Sequence, residues 1–307
     1  MSISSFQENR ISLGREAGEE LEMAYLDNHH TSSSHTLLLL HGLFDHKSTW
    51  NHLCPLLTRS YRLIAPDLIG FGYSSKPLLR HLSAPYRYST PMHTDYLHRF
   101  VVRLGLDNLI LAGNSLGGGI ALHLLCTCPE LSRRVRGLIL INAAGYPQEL
   151  PGHIRELGTW LGTLMNIRLC RWLAFHSGLV SRALRHSFER AFYNPQKIPP
   201  EQLAAAMDVL KTPNIFYSYR TAARNIALPN HRALVEKFTQ IACPTLIIWG
   251  REDRIISALF ALRFEKDIPR AELHIIDQCG HSPHLECPGQ VAGFIEQWAE
   301  KHIHPHT

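Results

Sequence analysis

The stretch LILAGNSLGGGIALHLL, residues 109–125, decides how this chain is read. Leu109, Ile110, Leu111 and Ala112 form a short apolar run suited to a strand buried on both faces. Ile120, Ala121, Leu124 and Leu125 then recur at helical spacing, so the chain must turn sharply in between. The turn, Gly113-Asn114-Ser115-Leu116-Gly117, fits the pattern GxSxG. In that pattern the glycines remove side chains that would collide, and a strained strand-to-helix turn lifts the serine hydroxyl clear of the sheet at the positive end of a helix. The same residues also read as a glycine-rich turn whose serine merely caps the helix. The pentapeptide leaves both readings open, and only distant residues can choose between them.

The chain has 307 residues, enough for one large α/β domain with an insertion or for two ordinary domains. With 45% apolar and 19% charged residues it has the composition of a globular protein with a substantial core. The opening MSISSFQENRISLGREAGEE lacks the apolar centre of a signal peptide, and no later run approaches membrane-spanning length, so a cytoplasmic protein is expected. Seven cysteines, at 54, 126, 128, 170, 243, 279 and 287, include no CxxC pair and read as reduced, structural thiols. His302, His304 and His306 read as part of a solvated tail rather than a metal site. The net charge of +5 is too small to argue for nucleic acid. No glycine-rich phosphate loop or metal cluster is visible, so no cofactor is expected.

Short apolar runs recur along the chain: HTLLLLHG, YRLIAPD, NLILAGNS, RGLILINAAG, CPTLIIWG and AELHIIDQ. Helical patterns such as PMHTDYLHRFVVRLGL lie between them, which implies right-handed crossovers and an α/β fold with a mostly parallel, doubly wound sheet. The alternation breaks after Gly145. Residues 146–228 show helix-like segments and prolines but no comparable strand run, and they hold ten basic and five acidic residues, the whole positive excess. The economical organisation is a core of residues 1–145 and 229–307 with a helical insertion at 146–228. Within that insertion Trp160, Leu161, Leu164, Leu169, Trp172 and Phe175 read as the apolar face of a packed helix.

A serine hydroxyl is a weak nucleophile that needs a histidine base, usually oriented by a carboxylate. In an open α/β sheet, loops leaving the carboxyl ends of the strands converge on one site. One such loop, Trp249-Gly250-Arg251-Glu252-Asp253, offers carboxylates, and another, Gln278-Cys279-Gly280-His281, offers a histidine. The order Ser115, Asp253, His281 is that of the α/β-hydrolases. From about His35 onward the chain resembles that family, through HGLFDHKSTW, DLIGFGYSSKP, GNSLGG, WGREDRI and GHSPHLECP.

The resemblance implies Ser115 as nucleophile, His281 as base and then acid, and Asp253 as the carboxylate that orients it. Glu252 is an alternative acid and Asp277 a third. The oxyanion hole would use the backbone amides of Leu116 and Leu43, with Phe44 as the alternative to Leu43. His41, Asp67, His284 and Glu286 read as bracing residues. In place of the proline that often follows the acid in the family, the chain has Ser257, which leaves the course of that loop open.

Serine at 115 excludes the dehalogenases and epoxide hydrolases of the family, which use aspartate. The elbow GNSLGG approaches that of hydrolases cleaving carbon–carbon bonds of ring-fission products, but those commonly place tryptophan after the histidine, where this chain has Ser282. Proline iminopeptidases usually have tryptophan at the position of Leu116. The expectation is a carboxylic ester hydrolase acting on a small, apolar ester under the helical cap, with hydrolysis of carbon–carbon bonds in ring-fission products, lactonase, perhydrolase and non-catalytic ligand-binding roles as alternatives. The basic cap, with Arg168 and Arg171 among apolar residues, implies either substrates bearing a carboxylate or peripheral contact with anionic lipid, against the simpler reading of a solvated face.

Overall fold

The computed structural model describes residues 6–16, 18–30, 32–149, 152–157, 163–226 and 231–303. All six apolar runs form strands: β3 (Thr36–Leu40), β4 (Arg62–Pro66), β5 (Leu109–Asn114), β6 (Val135–Ile141), β7 (Thr245–Gly250) and β8 (Ala271–Ile276). Two further strands, β1 (Gln7–Glu16) and β2 (Glu19–Asp27), precede them as an antiparallel hairpin. The sheet order is β1-β2-β4-β3-β5-β6-β7-β8, with β3 to β8 parallel and β2 antiparallel to β4.

The two early strands carry no continuous apolar run because β1 is an edge strand. Glu8, Arg10, Arg15 and Glu16 lie on it, charges that discourage pairing with another chain. Only the second half of β2 is buried throughout.

The central strands are buried on both faces, and the period-2 alternation sorts them cleanly. Leu38, Leu40, Leu109 and Leu111 enter one layer with α1 (Thr90–Arg103) and α2 (Leu116–Thr127). Leu37, Leu39, Ile110 and Ala112 enter the other, beneath the C-terminal helix Pro288–His302. Gly137 in β6 lets Trp298 of that helix lie flush on the sheet, since a Cβ there would sit 2.5 Å from the indole ring.

Between β6 and β7 every described element is helical. The principal helices are α3 (Arg168–His176), α4 (Leu179–Ala191), α5 (Pro200–Val209) and α6 (Ile215–Asn225). The expected packing of this segment needs correction. Phe175 does turn inward, towards Phe216, and Leu164 is half-buried, but Leu169 and Trp172 are exposed. Trp160 and Leu161 lie outside the described residues, as do residues 227–228 of the expected boundary. In the tail, His302 meets Glu272 at 3.3 Å, while His304 and His306 lie outside the described residues. No helix among the described residues is long and apolar enough to cross a membrane.

Candidate active site

Strand β5 ends at Asn114 and α2 begins at Leu116, leaving Ser115 alone in the turn with φ 52° and ψ −116°. A side-chain-bearing residue in such a conformation is strained by about 1–3 kcal/mol and persists only when its surroundings hold it. The Ser115 amide donates to the Ile141 carbonyl at 3.1 Å, and its carbonyl accepts from the amides of Gly119 (3.2 Å) and Ala144 (2.9 Å). The glycines are required sterically: a Cβ on Gly117 would stand 2.1 Å from the Leu40 carbonyl oxygen, and one on Gly118 2.4 Å from Ala143 Cβ. The Ser115 hydroxyl makes no capping bond to α2, so the helix-cap reading of this serine is not realised.

Beyond β7, Asp253 is held at both oxygens. Oδ1 accepts from the amides of Ile255 (2.7 Å) and Ile256 (3.0 Å), a tight turn that carries the loop past Ser257 without the family's usual proline. Oδ2 accepts from Asn142 Nδ2 at 2.6 Å and lies 2.8 Å from His281 Nδ1. A carboxylate accepts there, so Nδ1 carries the proton and Nε2 is left as the basic nitrogen. Burial alone would raise the Asp253 carboxyl, but the neighbouring His281 and the donated bonds outweigh it and hold the group below the usual carboxylate value.

The alternative acids go elsewhere. Glu252 accepts from the Cys279 amide at 3.0 Å, and Asp277 pairs with Arg251 at the surface. Neither touches His281 among its hydrogen bonds, because β7 and β8 aim only Asp253 at the imidazole.

Two asparagines tie the pieces together. Asn114 Nδ2 donates to the His281 carbonyl at 3.1 Å, binding the residue before Ser115 to the histidine itself. Asn142 supports Asp253 and also donates to the Gly280 carbonyl (3.3 Å), while its own carbonyl oxygen accepts from the Gly250 amide (3.2 Å). Asn142 escapes sequence reading, and its only signal is a polar residue at the end of a buried strand. Glu286 accepts from the amides of Gly280 (2.8 Å) and Tyr193 (2.9 Å), so it braces the histidine loop against the chain leaving α4. The His281 amide itself donates to the Ala191 carbonyl at 2.6 Å.

The loop at 41–45 lies against the elbow: a Cβ on Gly42 would meet Ser115 Cβ at 3.3 Å. His41 braces this loop, as its Nδ1 donates to the Gly42 carbonyl (2.8 Å) and its Nε2 accepts from the Leu68 amide (3.0 Å). Nε2, as an acceptor, carries no proton, and burial lowers the pKa of the ring. Leu43 and Phe44 follow, both half-buried, and the Phe44 carbonyl accepts from the Tyr219 hydroxyl of α6 at 3.2 Å. Leu116 opens α2, and the amides of a helix's first turn have no intrahelical acceptor. Asp67 accepts from the Lys47 amide (2.6 Å), Lys47 Nζ (3.2 Å) and the Tyr73 amide (2.8 Å), which pins the neighbouring turn.

Asp45, which sequence reading passed over, ends this loop. Its carboxylate accepts from the His46 amide at 2.9 Å and from Gln202 of α5 at 3.4 Å. Burial pushes its pKa up to about 7.

A family model described as alpha/beta hydrolase fold matches residues 35–288. The chain is 30% identical over 271 residues to a 2-hydroxymuconate semialdehyde hydrolase of Pseudomonas sp. strain CF600, covering 87% of each chain. It is 28% identical over 278 residues to Lipase 1 of Psychrobacter immobilis, covering 88% of this chain and 78% of that one. Among solved structures, a putative lipase from Acinetobacter baumannii AYE superposes with a TM-score of 0.77 at 24% identity, over 98% of this chain and 93% of that one.

Proposed function

This chain belongs to the alpha/beta hydrolase fold family, and from that membership and the site geometry we propose that it is a serine hydrolase of carboxylic esters. Ser115 attacks the acyl carbonyl while His281 Nε2 takes its proton. The oxyanion forms against the amides of Leu116 and Leu43, Asp253 stabilises the imidazolium, and His281 returns the proton to the leaving alkoxide. Water then attacks the acyl-enzyme by the same route, releasing the acid. Residues 146–228 act as a cap over this site, with the core formed by 1–145 and 229–307.

The observation that carries the reading is the 2.8 Å contact between His281 Nδ1 and Asp253, supplied from separate loops beside a strained Ser115 that caps nothing. A second reading, cleavage of a carbon–carbon bond in a ring-fission product, is supported by the similarity to the 2-hydroxymuconate semialdehyde hydrolase. Ser282 after the histidine weighs against it.

The test is turnover of p-nitrophenyl esters, from acetate to laurate, and of 2-hydroxymuconate semialdehyde by the wild type and Ser115→Ala. The expected result is ester turnover peaking at one chain length and lost in the variant, whose thermal unfolding is unchanged. Turnover of the semialdehyde alone would transfer the proposal to the second reading. Ester turnover that survives in Ser115→Ala would refute the nucleophile.

A further inference from the structure

The outward side of α3 and the turn into α4 present large apolar side chains to solvent. Ile167 is 50% exposed, Leu169 65%, Trp172 55%, Leu173 52% and Leu179 59%. These five lie within thirteen consecutive residues, and Leu169, Trp172 and Leu173 share one stripe of α3 at helical spacing. The opposite side of the same hairpin is anchored, with Phe175 near Phe216 and Val180 buried, so the exposed stripe is not an unpacked end. A contiguous apolar patch of this kind on a folded surface marks an interaction site.

Charge identifies what covers it. No aspartate or glutamate occurs between Glu156 and Glu189, whereas Arg168, Arg171, Arg182 and Arg185 all fall in that interval. Arg185 reaches Glu189 at 3.8 Å, while Arg168, Arg171 and Arg182 pair with no carboxylate among the described residues. A second copy of this chain would set arginines against arginines. A bilayer surface satisfies both features: the indole and leucines enter the boundary between headgroups and acyl chains, and the guanidinium groups meet phosphates.

We propose that the α3–α4 face, led by Leu169, Trp172 and Leu173 and flanked by Arg168, Arg171 and Arg182, docks the protein on anionic phospholipid membranes. The contact is peripheral and reversible, and no part of it requires the chemistry assigned to Ser115.

The test is co-sedimentation of the full chain with vesicles of phosphatidylcholine alone or mixed with phosphatidylglycerol, using the wild type, Leu169→Gln/Trp172→Gln and Arg168→Glu/Arg171→Glu. All four positions lie on a solvent-facing helix, and turnover of a soluble substrate, or the unfolding temperature if there is none, reports that each variant is folded. The wild type is expected to bind only the anionic vesicles and to be released by salt. Each double variant is expected to lose roughly tenfold or more in partitioning, the scale of withdrawing two large apolar contacts or reversing two charges. Equal binding to neutral vesicles, no binding to either, or full retention of binding by the variants would overturn the proposal. So would a wild-type dimer in solution that Leu169→Gln/Trp172→Gln dissolves, since a second copy would then be the partner.

Discussion

Asp45 and Asp253 are two carboxyls whose surroundings push their pKa values in opposite directions. Asp253 accepts from Asn142 and from two amides besides facing His281, so it stays ionised. Asp45 has weaker support against burial, and its pKa rises to about 7. The raised value has a consequence for stability. Between the ordinary carboxylate value and about 7 the folded chain binds a proton that the unfolded chain has lost, so stability falls as pH rises through that window. Asp45→Asn keeps an acceptor for the His46 amide and removes the titration. It is expected to raise the unfolding temperature more at pH 8 than at pH 5, as thermal melts at the two values would show. An equal shift at both would mean that Asp45 stays charged throughout.

At the scale of elements, the elbow depends on β5 and α2 approaching β3 closely. Gly117 is the tightest point, because the Leu40 carbonyl occupies the place of any Cβ. Gly117→Ala must push β3 and α2 apart, and a loss of about 1–3 kcal/mol of stability is expected, as for other overpacked contacts. Urea unfolding measures it. Gly289, with nothing within 4 Å of its Cβ position, is the internal control, and Gly289→Ala is expected to cost little. The elbow, its helix and the six apolar strands were legible because burial on both faces writes itself as a continuous apolar run. The hairpin β1–β2 was not, because an edge strand guarded by charges shows neither a run nor a clean alternation.

At the scale of the molecule, the helical segment between β6 and β7 grips the site at two places. The chain leaving α4 bonds to His281 and Glu286, and α5 and α6 bond to the loop at 41–45 through Gln202 and Tyr219. A displacement of this segment therefore disturbs both the histidine and the loop beside Ser115. Glu286 is the most exposed to test: Glu286→Ala leaves the amides of Gly280 and Tyr193 without their acceptor, at about 1–3 kcal/mol each. Unfolding temperature is expected to fall in the order wild type, Glu286→Gln, Glu286→Ala, since glutamine retains one acceptor oxygen. If ester turnover falls in the same order below the unfolding transition, the brace positions His281. If turnover is unchanged, Glu286 serves stability alone.

The amino-acid sequence by itself determined the parallel core, the turn at Ser115, the loops bearing Asp253 and His281 and the helical character of the described elements between β6 and β7. Each of these is set by local periodicity or by glycines that a sharp turn demands. Tertiary structure alone decided which carboxylate meets His281, that Asn142 supports it, that Asp45 stands half-buried on the loop beside the elbow, and that Leu169 and Trp172 face solvent. Those outcomes depend on where distant strands end and on which of two apolar helix faces the core takes. A one-dimensional pattern records the existence of an apolar face, and only packing decides which way it points.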